Sequence, residues 1–192
     1  MKRKQDSLIT KQRLLETAFQ NFYEVGFENT SLDKISKDAN VSRGAAYWHF
    51  KNKSEIFGEV VLMTIEKIKS EKCEIMVSEE LSFQEKVVRI LVVPSKNQMG
   101  FKFMQQSLKT LEVYPEFNEL LETFRETRGR LYEFFLAGLR EEGLNENDAA
   151  AVSSMLYNYF EGMYGSGTPD EVTKNYTPEA ITRSISIIFK NT

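Results

Sequence analysis

Three short amphipathic segments follow one another between residues 10 and 50, and the breaks between them are long enough only for turns. In the first segment apolar side chains recur at spacings of three and four, which is typical of a helix with one buried stripe. Gly26 stands where a helix often ends in a left-handed turn, and Asn40 is one of the few other residues that tolerates that conformation. The sequence therefore predicts three helices joined by tight turns, over residues 10–25, 32–39 and 43–50.

Short polar residues precede the second and third predicted helices. The run Thr30-Ser31-Leu32-Asp33 fits a capping box, in which a hydroxyl and a carboxylate satisfy the free amides of a new helix. Ser42 stands where it can cap the third helix. We therefore expect the second helix to begin close to Leu32 and the third to begin at Arg43.

The third predicted helix carries an unusual outer face. Ala46 and Phe50, four residues apart, can face the other two helices. The remaining side chains then point mostly outward: Arg43, Ala45, Tyr47, Trp48 and His49. Exposed aromatic side chains are costly unless they meet a partner. A short helix after a tight turn, packed across its predecessor, is a helix-turn-helix, whose second helix enters the major groove of DNA.

Residues 11–53 resemble the N-terminal domain of the TetR family of bacterial transcriptional regulators. The resemblance rests on Leu14-Leu15-Glu16-Thr17-Ala18-Phe19, Phe22, Gly26, Thr30-Ser31, Ile35 and, above all, Val41-Ser42-Arg43-Gly44-Ala45-Ala46-Tyr47-Trp48-His49-Phe50-Lys51-Asn52-Lys53. The recognition helix of the family reads Gly-x-x-Tyr-x-His-Phe followed by a lysine. The Tyr-Trp-His-Phe form is similar to the AcrR type, which regulates multidrug efflux.

The resemblance implies a set of DNA-binding residues, namely Thr30, Ser31, Ser42, Arg43, Gly44, Ala45, Tyr47, Trp48, His49 and Lys53. Arg43 matches a position that touches base edges, where a guanidinium can pair with guanine. Tyr47, His49 and Lys53 match positions that contact phosphates. The chain departs from the family pattern at Asn40, which replaces a glycine. It departs again at Asp33, where an acid would repel phosphate.

The charge of the chain is distributed unevenly. The whole sequence has 25 basic and 28 acidic residues, a net charge of −3. Residues 1–53 hold ten basic and six acidic residues, whereas residues 54–192 hold fifteen and twenty-two. The basic N-terminal segment suits one DNA-docking face better than general adhesion to nucleic acid.

Residues 54–192 read as helices alone, predicted over residues 54–76, 82–92, 96–113, 115–142, 145–165 and 178–190, with Pro94 ending the second of these. We therefore expect an all-α protein of about nine helices, with a helix-turn-helix domain at 1–53 and a ligand-binding and dimerisation domain at 54–192.

No window is apolar enough to span a membrane. The single cysteine, Cys73, favours a reducing compartment, and we expect a cytoplasmic protein.

The second domain is rich in aromatic residues and methionine, which line adaptable ligand cavities as well as ordinary cores. Polar groups within apolar helix faces indicate a pocket for a small hydrophobic effector, cationic or aromatic in character. The predicted lining residues are Phe101, Gln105, Leu108, Glu112, Phe124, Tyr157, Glu161 and Tyr164. The last two helices carry more apolar surface than a peripheral pair needs, and the resemblance implies a homodimer through them on a palindromic operator.

Two other functions are weighed against a ligand-responsive repressor. In one, the second domain docks a protein partner in place of a small molecule, and in the other the chain is a helical enzyme. The chain has few residues of the types that commonly act in catalysis, because its only histidine is His49 and its only cysteine is Cys73. We expect no catalytic residues, no bound metal and no cofactor. Activation of transcription also stays open, because the sign depends on where the operator lies.

Overall fold

The computed structural model describes residues 2–165 and 177–189, which contain nine α-helices and no strand. The helices are α1 (Lys2–Val25), α2 (Leu32–Asp38), α3 (Arg43–His49), α4 (Lys53–Val77), α5 (Phe83–Lys96), α6 (Gln98–Val113), α7 (Asn118–Glu141), α8 (Glu146–Gly165) and α9 (Pro178–Phe189). A 3-10 turn, Pro115–Phe117, precedes α7. The predicted all-α class with about nine helices is confirmed. None of the helices in the described ranges has both the length and the apolarity of a membrane span.

Left-handed residues end helices where the sequence predicts such ends. Gly26 has a φ of 78°, Asn40 a φ of 52° and Gly143 a φ of 95°. The asparagine that departs from the family pattern thus adopts the conformation that glycine would adopt. The turn between α2 and α3 is therefore kept by a residue that tolerates positive φ.

One predicted helix end is wrong. The prediction that Pro94 stops a helix near residue 92 fails, since α5 continues to Lys96 with Pro94 inside it. A proline near a helix C-terminus removes one backbone hydrogen bond, and burial of its ring can compensate. Pro94 is buried, and the helix ends within its next turn. The helix α1 also begins earlier than predicted, at Lys2.

The chain forms two compact units that differ from the predicted division into 1–53 and 54–192. The first unit comprises residues 1–65 and 106–121, and the second comprises residues 66–105 and 122–192. The divisions fall within α4, α6 and α7, so no linker separates the units. The boundary at residue 53, between the DNA-binding domain and the ligand-binding and dimerisation domain, stays a prediction.

The core of the first unit combines the three predicted short helices with an aromatic cluster. Leu14, Ile35, Ala46 and Phe50 are at most 1% exposed, so α1, α2 and α3 share one interior. The aromatic cluster consists of Phe22, Phe27, Phe57, Tyr114 and Phe117, whose neighbouring ring centroids lie between 4.8 and 6.3 Å apart. These rings come from α1 and the turn after it, from α4 and from residues 114–117, so their packing holds these parts of the first unit together.

In the second unit α5 and α9 pack against each other. The ring of Phe83 on α5 contacts Phe189 on α9, with 5.9 Å between centroids. It also lies against α7 at Gly138, where a Cβ atom would come within 2.1 Å of Phe83 Cε2. Gly138 is therefore required by close packing, and Phe83 joins three helices of this unit.

Candidate nucleic-acid interface

The helix α3 is fixed at both ends by its own sequence. At its start the Ser42 hydroxyl accepts a hydrogen bond from the backbone N–H of Ala45, at 3.2 Å. At its end the backbone N–H of Phe50 bonds to Ala46 O at 2.9 Å. Ala46 and Phe50 are 0% and 1% exposed, as predicted. Their burial decides which face of α3 points outward.

The outward face of α3 is the one that the sequence predicts. Arg43, Gly44, Tyr47 and Trp48 are exposed, while Ala45 and His49 are half-buried. Trp48 is 73% exposed and Tyr47 is 43% exposed. Two adjacent aromatic side chains at this exposure leave a large apolar area in contact with water, which indicates a surface that meets a partner.

Arg43 is held by two groups of the first unit. Its Nε lies 3.0 Å from Asp33 Oδ1 on α2, and its guanidinium carbon lies 5.3 Å from the centre of the Tyr47 ring. The second helix therefore contributes to this surface through an acid that the sequence pattern flagged only as a departure. An exposed ion pair of this kind adds little stability, about 0–1 kcal/mol. Its consequence is the orientation of the guanidinium.

Gly44 has no internal reason to be glycine. Its φ is not positive, and a Cβ atom built on it would meet nothing within 4 Å. Glycine is unfavourable in a helix, by up to about 1 kcal/mol relative to alanine. The absence of a side chain is useful here only if something outside the chain approaches the backbone closely.

His49 lies at the edge of the outward face. Partial burial and the nearby Lys11 ammonium hold the pKa of this imidazole below its usual 6.5, while Glu59 acts in the opposite direction. At neutral pH the ring is therefore uncharged and can donate one N–H. Its ring also meets that of Trp48 edge-on, at 4.6 Å between centroids.

The start of α2 differs from the prediction. Ser31 caps the helix, accepting a hydrogen bond from Lys34 N at 3.1 Å. The predicted capping box from Thr30 to Asp33 is wrong, because the cap is Ser31 and the residue three positions later is Lys34; the Asp33 carboxylate pairs with Arg43 instead. The Thr30 hydroxyl donates to Gly26 O at 2.8 Å, and Thr30 is only 3% exposed. Of the two hydroxyls predicted to contact DNA here, that of Ser31 is at the surface and that of Thr30 is inside.

Lys53, predicted to contact the DNA backbone, is occupied within the first unit. Its Nζ donates to Phe27 O at 2.8 Å and to Glu28 O at 3.3 Å. The same Nζ lies 4.2 Å from the centre of the Phe27 ring. Lys53 thus joins the start of α4 to the turn after α1, and its contact with DNA stays a prediction.

The residues predicted to line a ligand pocket are placed unevenly. Phe101 and Phe124 are buried, Gln105, Leu108 and Tyr157 are half-buried, and Glu112 is exposed. The side chains of Glu161 and Tyr164 lie outside the described residues. Phe101 meets Phe160 at 6.1 Å between ring centroids, and Tyr157 meets Tyr132 at 6.0 Å. A pocket at these positions stays a prediction.

Comparison with known proteins identifies the N-terminal segment. Residues 14–60 match the family described as bacterial regulatory proteins, tetR family. The chain is 48% identical over 59 residues to the HTH-type transcriptional regulator AcrR of Shigella flexneri. It is also 48% identical over 59 residues to the probable acrEF/envCD operon repressor of Escherichia coli K12. Each match covers 31% of this chain and 27% of the relative, so the chain spans about a quarter of the length of these relatives.

The fold is shared over nearly the full length of the chain. A crystal structure of a transcriptional regulator from Rhodococcus sp. Rha1 superposes with a TM-score of 0.72 at 21% identity, covering 94% of this chain and 96% of the other. This likeness establishes the fold of the remaining residues. Residues 14–60 are thus similar to the tetR family of bacterial regulatory proteins, and the fold of the chain is shared with a solved transcriptional regulator.

Proposed function

We propose that this chain is a DNA-binding transcriptional repressor that places α3 in the major groove of an operator. The observation that carries the proposal is the outward face of α3. On this face Tyr47 and Trp48 are exposed, and a Cβ atom added at Gly44 would meet nothing within 4 Å. The relatives named above are a transcriptional regulator and a probable repressor, which supports regulation over catalysis.

The operator is palindromic and binds two copies of the chain. One short helix contacts only a few base pairs, so a symmetric pair of chains is the economical way to gain affinity and specificity. The last two helices support this arrangement, because Met155 on α8 and Ile187 on α9 are 62% and 64% exposed. Met155 also borders an apolar cavity of about 90 Å³, which is lined in addition by Leu91, Ile181 and Ile185. We assign the homodimer interface to this surface.

A small hydrophobic effector, bound by the second unit, releases the operator, and the regulated genes serve efflux or stress responses. An effector acts only through a difference in its affinity for the DNA-binding and non-binding arrangements of the dimer. The AcrR resemblance of the N-terminal segment supports the choice of genes. Small hydrophobic compounds are screened for those that raise the melting temperature of the chain. The compounds that do so are then tested for release of bound operator DNA. If only a protein partner releases it, the docking alternative holds.

DNA binding is tested with a labelled duplex from the region upstream of the gene that encodes this chain. Arg43→Ala should weaken binding about 5- to 150-fold, because a bidentate arginine–guanine pair discriminates by about 1–3 kcal/mol. The matched control is Arg130→Ala, which removes the same charge from an exposed position on α7. Unchanged binding by Arg43→Ala, or an equal loss in both variants, contradicts the proposed role of α3.

A further inference from the structure

A lysine is buried in the second unit. Lys72, on α4, is only 4% exposed, although its neighbour Cys73 is exposed. The Lys72 Nζ lies 5.3 Å from the centre of the Phe160 ring on α8. Lysine is almost never fully buried unless its charge is paired. The position of Lys72 therefore needs an explanation that the fold does not provide.

No acid in the described part of the chain pairs with Lys72. The ion pairs found there involve other cations, namely Lys11, Lys34, Arg43, Lys69, Arg125 and Arg140. The titratable groups that act on the pKa of Lys72 are the Cys73 thiol, which raises it, and the Arg128 guanidinium, which lowers it. Arg128, on α7, is a second cation, and its guanidinium carbon lies 5.1 Å from the Phe124 ring. A ring face compensates a buried ammonium only in part.

The surroundings of Lys72 are aromatic. Phe160 is 0% exposed, and its ring meets Phe101 edge-on at 6.1 Å between centroids. Burial lowers the pKa of Lys72 from 10.5 to about 8, and Arg128 acts in the same direction while the Cys73 thiol opposes it. At neutral pH the amine is thus still charged, with cationic and apolar groups around it. Among the side chains that the structure describes, no carboxylate lies within ion-pair distance of the Lys72 ammonium.

We infer that Lys72 is the anion-binding residue of a ligand site in the second unit, and that the ligand is an apolar molecule bearing a carboxylate. The carboxylate pairs with the Lys72 ammonium, and the apolar body lies against the rings of Phe160 and Phe101. This inference rests on the proposed function, since such a ligand would be the effector. It replaces the expected cationic character of the effector with an acidic one.

Binding is measured by calorimetry with the full chain and matched pairs of probes. The acids are 2-naphthoate and decanoate, which distinguish an aromatic from an aliphatic ligand, and the cations are 2-naphthylmethylamine and decylamine. We expect at least one acid to bind at least 10-fold more tightly than its amine. Equal binding of acid and amine in both pairs, or binding of neither acid, overturns the inference.

The variant Lys72→Met keeps the length and apolar stem of the side chain and removes its charge. It should bind the acid at least 10-fold more weakly, whereas Lys69→Met should bind it normally, because Lys69 pairs with Glu66 at the surface of the same helix. At pH 8, near the pKa of about 8, binding of the acid to the wild-type chain should take up about half a proton. This uptake is measured in buffers of different ionisation enthalpy. Unweakened binding by Lys72→Met, or the same uptake in that variant, contradicts the role of Lys72.

The DNA-binding assay separates this inference from the proposed function. If the chain binds the operator through Arg43 but binds neither acid, the acid site is refuted and the repressor proposal stands. A chain that binds an acid through Lys72 and no operator refutes the repressor and keeps the site. Release of DNA by the acid in the wild-type chain, but not in Lys72→Met, supports both.

Discussion

Asp33 Oδ1 lies 3.0 Å from Arg43 Nε, so a carboxylate of α2 holds the arginine that we propose reads a base. The pair uses Nε and leaves the two terminal nitrogens of the guanidinium for a partner. It also neutralises the acid that the sequence pattern predicted to repel phosphate. Asp33 is thus a positioning residue for Arg43.

Asp33→Asn should lower the ratio of operator affinity to random-DNA affinity. Loss of the carboxylate frees the guanidinium to pair with phosphates, which raises affinity for any sequence. We expect the ratio to fall by about 2- to 5-fold, since an exposed pair contributes at most about 1 kcal/mol. Anisotropy titrations of both duplexes at two salt concentrations measure it.

The control for that variant is Asp38→Asn, which removes the same charge from α2. Asp38 pairs with Lys34 at 2.6 Å and does not pair with Arg43. It should raise affinity for both duplexes alike. If the two variants change the affinity ratio equally, only net charge matters and Asp33 has no positioning role.

Gly44→Ala should make the chain more stable and its DNA complex weaker. The added methyl group meets nothing in the free chain and favours the helix by up to about 1 kcal/mol. Against DNA the same group would obstruct close approach of the backbone. Urea unfolding and operator titration measure the two effects.

Gly129→Ala provides the matched control, because Gly129 is exposed on α7 and its Cβ would also meet nothing within 4 Å. It should gain stability without losing affinity for the operator. Full operator affinity in Gly44→Ala would show that nothing approaches this backbone closely.

Lys72→Met should stabilise the ligand-free chain at pH 7, and the gain should shrink as the pH rises. Below the folded pKa of about 8 the amine is charged in both states, so the penalty of burying it, about 3 kcal/mol, is fully present. Between pH 8 and 10.5 the unfolded chain binds more protons, so the stability of the wild-type chain rises with pH. Urea unfolding of both chains at pH 7 and pH 10 measures the difference. A gain that is the same at both pH values would contradict the burial of a charged amine.

Met155→Glu should weaken the proposed homodimer and, through it, operator binding. A carboxylate on an apolar interface must lose its hydration without gaining a partner. Sedimentation should show a shift towards monomer, and operator affinity should fall at least 10-fold. Val77→Glu, at a position that is 76% exposed, is the control and should remain dimeric. A dimer that survives Met155→Glu places the interface elsewhere.

Much of the first unit could be predicted because its determinants are local. The burial of Ala46 and Phe50 follows from a four-residue spacing, and the positive φ of Asn40 follows from its residue type. The pairing of Asp33 with Arg43 could not be predicted, because it depends on how α2 and α3 cross. The inward turn of the Thr30 hydroxyl likewise depends on a carbonyl of the preceding turn.

Prediction of the second unit was limited because its determinants are contacts between different helices. Helical periodicity gives helix extents but treats every lysine as a surface residue, so the burial of Lys72 gave no signal in sequence. The need for glycine at position 138 could not be predicted either, because the Phe83 ring that requires it comes from another helix. Pro94 read as a helix end because its burial could not be seen.

The fluorescence of Trp48 tests the role of α3 most directly. It is the only tryptophan in the chain and is 73% exposed on the proposed DNA-binding face. Titration with the operator duplex should change its emission saturably, protect it from acrylamide quenching, and reach its endpoint at two chains per palindrome. A duplex that binds, as judged by mobility, while the emission and quenching of Trp48 stay unchanged would contradict docking through α3.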